Sequence, residues 1–86
     1  MRKIYKYAMQ AGMPLRLNCV KLVRAGSDGG HDTPSIWVEH GREEVAEHLW
    51  QFEFYGTGHA IPNDAGDHLM SCRCGPYVWH IYGRII

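Results

Sequence analysis

The sequence contains no apolar run approaching the roughly 18 residues that a membrane-spanning helix needs. Its opening, MRKIYKYAMQAGMP, joins no apolar stretch to a small-residue cleavage site. The expectation is a soluble protein that stays in the cytoplasm. Cysteine is sparse: Cys19, Cys72 and Cys74 make an odd number, which argues against a secreted disulfide framework. Charge of one sign is also missing. Nine Lys and Arg balance nine Asp and Glu, so the formal net charge is zero. Non-specific nucleic-acid binding depends on neutralising many phosphates, and this balance speaks against it. Neutrality also removes colloidal repulsion, which favours self-association into a homo-oligomer. No Gly-x-Ser-x-Gly elbow, His-Glu-x-x-His helix or catalytic cysteine signature occurs. Asp64, Asp67 and His59 share one loop and are a candidate acid–base set, but loops of that composition are commonly just polar. No enzyme is expected.

What the chain does have is material for strands. At 86 residues it is one domain, 1–86, and with 45% hydrophobic residues it can build a core without a metal or disulfide staple. Residues 3–8 (KIYKYA) read as a first strand, broken by Gly12 and Pro14. In residues 15–24, Leu15, Leu17 and Cys19 alternate onto one face, with a bulge or bend expected near Val20. After the glycine-rich loop 26–34, SIWVEHG sets Ile36 and Val38 opposite Trp37 and Glu39. Residues 42–48 (REEVAEH) favour helix by composition but are too short to be stable alone, giving one or two turns or a loop. In LWQFEFYG, Phe52 and Phe54 face away from Gln51 and Glu53. A second long loop leads to two closing strands separated by Gly75 and Pro76. The expected fold is mainly β, or α+β with one short helix. It would be a compact antiparallel meander, half-barrel or small sandwich of about six strands.

Two segments stand out chemically. In Tyr55-Gly56-Thr57-Gly58-His59, glycines flank a threonine directly after a strand, so successive amides can form an anion-binding nest. Thr57 adds a hydroxyl and His59 a donor. The segment lacks the third glycine of a dinucleotide fingerprint and the Gly-Lys-Ser/Thr ending of a P-loop, so a plain tight turn competes with the ligand reading. In Tyr77-Val78-Trp79-His80-Ile81-Tyr82, Tyr77, Trp79 and Ile81 share one face and Val78, His80 and Tyr82 the other. One face is core. The other offers His80 and Tyr82 for stacking and hydrogen bonding, unless His80 simply bonds a backbone carbonyl. Cys72-x-Cys74 with His59, His68 and His80 is a poor match to zinc knuckles, so no metal and no other cofactor is expected. Arg2, Lys3 and Lys6 read as a solvated strand edge, and Glu43, Glu44 and Glu47 as a solvated face or an acidic contact.

The segments Ile4-Tyr5-Lys6-Tyr7, Met13-Pro14, Ile36-Trp37-Val38, Phe52 through Pro62 and Tyr77 through Tyr82 together form a pattern. It resembles a family of short phage and prophage proteins with a domain of unknown function, marked by a YGTGH block and a closing VWH strand. The resemblance runs over nearly the whole chain. Cys72-x-Cys74 and the Arg42–Glu47 segment fall outside the family pattern, so neither metal nor helix carries over from it. It implies phage origin and action in the cytoplasm of an infected bacterium, and it brings no activity and no catalytic residues. The expected function is counter-defence by sequestering a small anionic ligand, such as a nucleotide immune signal. Gly56, Thr57, Gly58 and His59 would hold phosphate, with Trp37, Tyr55, Trp79 and Tyr82 stacking on bases beside His80. Arg2, Arg73 or Arg84 would add charge from a neighbouring subunit. The alternatives are direct binding to a host defence or CRISPR effector protein, through exposed aromatics and the acidic 43–47 segment, and a virion component.

Overall fold

The computed structural model describes residues 1–86 and is all-β, with seven strands in two antiparallel sheets. The strands are β1 (Lys3–Ala8), β2 (Leu15–Cys19), β3 (Lys21–Gly26), β4 (Ser35–His40), β5 (His48–Gly56), β6 (Asp67–Cys74) and β7 (Tyr77–Ile85). One sheet has the order β1-β4-β3, the other β2-β5-β7-β6.

The bend expected near Val20 is a change of sheet. The segment 15–24 leaves the four-stranded sheet after Cys19 and joins the three-stranded one at Lys21, with the Val20 N–H donating to the Glu39 carbonyl at 2.8 Å. Splitting one expected strand in two makes the count seven. A β-bulge follows within β3, where the register with β4 shifts between Leu22 and Arg24.

Alternation along each strand sets what is buried. Ile36 and Val38 from β4 meet Phe52 from β5 and Ile81 from β7, all fully buried, with Met9 and Cys19 completing the cluster. Each large apolar side chain so buried contributes about 1.5–3 kcal/mol, and this cluster is the main tie between the sheets. The inner face of the four-stranded sheet extends it through Leu15, Leu17, Trp50, Phe54, Met70 and Cys72.

Residues 42–48 form no helix. They make a turn in which Glu44 takes φ +66°, and His48 already begins β5. So short a run of helix formers cannot nucleate alone, and the Glu47 carboxylate instead accepts the Gly41 N–H at 3.0 Å and contacts His40 Nδ1 at 3.3 Å. β1 is an edge strand; Arg2, just before it, pairs with Glu39 at 2.9 Å, and Lys6 within it pairs with Asp28. No helix of the structure is long and apolar enough to cross a membrane.

Candidate functional site

β5 ends at Gly56, and the chain turns at once. The His59 N–H donates to the Gly56 carbonyl at 3.1 Å, closing a four-residue turn in which Gly58 has φ +85°. A left-handed residue at the third position is the type II pattern, which explains the glycine there. The Gly56 N–H in turn donates to His59 Nδ1 at 3.2 Å. That nitrogen must be unprotonated to accept, so the ring proton sits on Nε2. A Cβ on Gly56 would lie 2.8 Å from the imidazole, so only glycine lets the ring fold onto the backbone here. Two groups that an anion nest would use are therefore occupied within the turn. The outward donor it presents is His59 Nε2–H, the Thr57 hydroxyl being bonded to His80 Nε2 at 2.9 Å.

His59 and Trp79 stand in the walls of two neighbouring cavities. The first, about 300 Å³, is lined by Met13, Glu53, Phe54 and Tyr55 among others. The second, about 340 Å³, is lined by Gly56, Thr57, Pro76, Tyr77 and Val78 besides the shared pair. Both fall at the small end of the size range of ligand pockets, roughly 300–1,000 Å³. Trp79 is held on three sides. Its ring packs edge-on against Phe54 with centroids 5.0 Å apart, stacks on Tyr77 at 5.5 Å, and donates its indole N–H to the Asp32 carbonyl at 2.6 Å. The two cavities differ in charge. Glu53 borders the first, whereas no carboxylate borders the second.

His80 and Tyr82 lie on the opposite, outward face of the same sheet. Strand pairing places His80 between Tyr55 of β5 and Ser71 of β6, and Tyr82 between Glu53 and His68. His80 bonds no backbone carbonyl. Its Nε2 meets the Thr57 hydroxyl at 2.9 Å and its Nδ1 the Ser71 hydroxyl at 2.7 Å, while Ser71 also contacts His68 Nε2 at 2.9 Å. Tyr55 and Tyr82 pack edge-to-face with centroids 5.7 Å apart, and His68 lies 5.5 Å from Tyr82. The Tyr55 hydroxyl donates to Glu53 at 3.1 Å. Burial, then the Glu53 carboxylate, pushes this phenol up to about 12.

The structure thus brings Tyr55, Gly56, Thr57, His59 and Trp79 to the paired cavities, with Gly58 shaping the turn between them. His80 reaches this region through Thr57, and Tyr82 through Tyr55. Trp37 is elsewhere: it sits on the outside of the three-stranded sheet, opposite Lys6 and Arg24 in register, with the Arg24 guanidinium 4.7 Å above its ring. Ser71 and His68 are further partners of His80, beyond those expected from the sequence. The signal was present, since a tight turn at Gly75-Pro76 pairs Cys74 with Tyr77 and so brings Ser71 opposite His80. No three His, Cys, Asp or Glu side chains gather as a metal-binding group. Cys72 and Cys74 do share the inner face, with Cys74 fully buried, and all three cysteines are free thiols.

This arrangement defines a small β-sandwich-like domain with an aromatic-walled groove at one end of its larger sheet. The chain belongs to the family described as a domain of unknown function (DUF7352), whose model matches residues 1–85. No curated protein and no solved structure matches it.

Proposed function

We propose that the protein binds and sequesters a small anionic, ring-bearing ligand of nucleotide type, without catalysis, in the groove that His59 and Trp79 divide. The observation that carries this reading is the pairing of a fixed aromatic wall with a donor engaged by no other side chain, His59 Nε2–H. Trp79 is locked by Phe54, Tyr77 and Asp32, so a ring stacking on it costs little additional ordering. Beside it, His59 Nε2–H and the Thr57 hydroxyl, which also contacts His80, border a cavity with no carboxylate in its wall. A phosphate fits that second cavity, and a base fits the first, where Glu53 accepts rather than repels an exocyclic amine.

The biological setting that suits this chemistry is phage counter-defence in the infected bacterial cytoplasm, with a nucleotide immune signal as the sequestered species. A thermal-shift screen against linear and cyclic nucleotides tests the binding. Ligand at 100 times its Kd stabilises the folded state by about 2.7 kcal/mol. In a domain of this size that raises the melting temperature by about ten degrees or more. The shift is expected to vanish in Thr57→Ala and Trp79→Ala. Flat melting curves across the panel, with no nucleotide released from the purified protein, would overturn the reading. A second reading, direct binding to a host defence protein, draws on the exposed Glu43 and Glu44. Stoichiometric recovery of one host protein with the chain, alongside flat melting curves, would favour it.

A further inference from the structure

Although the chain is neutral overall, its charge is unevenly placed. Strand register orders the outward face of the four-stranded sheet into rows. Arg16, Gln51 and Arg84 form the row at one end, and Arg73 lies beside Val78 at the other. Between them run the rows that hold Tyr55, Tyr82, His68 and His80. Glu53 is a carboxylate on this face whose two oxygens already accept hydrogen bonds, from Gln51 at 3.2 Å and from Tyr55 at 3.1 Å, and Asp64 of the following loop also acts on the Tyr55 phenol. The loop before β6 lies over one end of this face, with Gly66 against Gly83 and Arg84, and Tyr55, His80, Tyr82 and Arg84 are half-buried. Arg16, His68, Ser71, Arg73 and Val78 are exposed.

We propose that this face is a platform for single-stranded nucleic acid, a reading that does not rest on ligand binding in the groove, although Glu53, Tyr55 and Thr57 border both. Affinity for single strands without sequence preference needs two things: aromatic faces on which bases stack, and basic groups that follow the backbone. Here the rings stand on the two central strands and the arginines at the ends of the rows. Away from the cavity that Glu53 and Tyr55 border, the sheet surface is open, which suits splayed bases. A duplex hides its bases, so it would meet only the arginines. Hydroxyls and imidazoles from Thr57, Ser71, His68 and His80 supply donors and acceptors for base edges between the rings. Charge complementarity selects this occupant over a second copy of the chain, because two such faces would set arginine against arginine.

The test is a fluorescence-anisotropy titration of the full chain against labelled oligo-dT and oligo-U of about a dozen nucleotides, and against a duplex of equal length. Saturable binding to the single strands, at least tenfold weaker for the duplex, is expected. With up to three phosphates neutralised, log K should fall with log salt at a slope of about −2, and Arg73→Gln should flatten that slope by about 0.7. Tyr82→Ala should weaken binding by about tenfold or more, while Tyr82→Phe, which keeps the ring and the packing, retains it. Arg24→Gln, on the outside of the other sheet, should change nothing. Two titration results would overturn the proposal. One is no anisotropy change for either single strand at low salt; the other is binding that Tyr82→Ala and Arg73→Gln leave intact in variants with a native circular-dichroism spectrum. A concentration-dependent dimer abolished by Tyr82→Ala would also overturn it, by giving the face to a second copy.

Discussion

The indole N–H of Trp79 donates to the backbone carbonyl of Asp32 at 2.6 Å, 47 positions away in sequence. Through it the loop between β3 and β4 is tied to the central strand of the opposite sheet, beside the proposed groove. Trp79→Phe keeps most of the packing against Phe54 and Tyr77 but loses the bond. The expected cost is about 1 kcal/mol, the net worth of one such hydrogen bond. Urea denaturation measures it, and amide exchange in residues 27–34 should quicken in the same variant. Unchanged exchange in that loop would show that the bond does not hold it.

Tyr55 gives a prediction in pH. Its phenol is pushed up to about 12, first by burial and then by Glu53, whose carboxylate also accepts its hydrogen bond. In the unfolded chain a tyrosine titrates near 10. The folded value is the higher, so the stabilising contribution is complete below about 10 and is lost as pH rises through 12. A tyrosinate absorbance titration should therefore show one phenol lagging the others. In Glu53→Gln that phenol should titrate earlier while staying above the free value, because the larger cause, burial, persists. A late phenol unaffected by Glu53→Gln would mean that burial, with the Asp64 carboxylate, accounts for the shift without Glu53.

How far the sequence reveals the fold depends on which interactions are local. Alternation of Ile36 with Trp37 and of Phe52 with Glu53 identifies strands and faces, because the period of two is a property of each strand by itself. Ile36, Val38 and Phe52 are indeed fully buried. The sheet change after Cys19 is not legible, since Leu15 and Lys21 pair with different strands and alternation carries no partner information. The helical composition of residues 42–48 misleads for the opposite reason: propensity is local, but it is too weak over so few residues to resist the turn that Gly41, Glu44 and Glu47 make. At the candidate site the turn around Gly58 follows from the glycines. The capture of His59 Nδ1 by the Gly56 amide does not, and neither does the separation of Trp79 from His80 onto groove and platform in functional terms. Strand parity alone separates the two faces of β7, but which neighbours each face meets depends on β5 and β6.

Gly66 and Gly12 both take left-handed backbone conformations, at φ +91° and +72°, yet they should respond differently to alanine. At Gly12 a Cβ would meet nothing within 4 Å. Gly12→Ala should cost only the left-handed penalty, about 1–2 kcal/mol. At Gly66 a Cβ would lie 2.2 Å from the Gly83 carbonyl oxygen and 2.7 Å from the Arg84 Cβ, against the backbone of β7. The strand cannot yield there without breaking its pairing with β5 and β6, so Gly66→Ala should be clearly the more destabilising of the two in chemical denaturation. Equal midpoints for the two variants would show that β7 is free to move at Gly83.

The three cysteines complete the set. Burial first, then the Glu47 carboxylate, pushes the Cys19 thiol up to about 11, and burial followed by the neighbouring Cys74 does the same for Cys72. Cys74 is raised too, mainly by burial. Thiolate is the reactive form, and a thiol at about 11 carries roughly a hundredfold less of it at pH 8 than a free cysteine near 8.5. Iodoacetamide should therefore modify the native protein very slowly at pH 8, and all three thiols rapidly in guanidinium. Cys72 is the informative position, because it is only half-buried and its side chain lies on the sheet face that carries Trp79. If it resists the reagent because it is held as a thiol, raising the pH towards 11 should bring its reaction up well before the fold is lost. If its rate instead stays flat until the protein unfolds, access rather than ionisation protects it, and the inner face of β6 is sealed more tightly than its partial exposure implies.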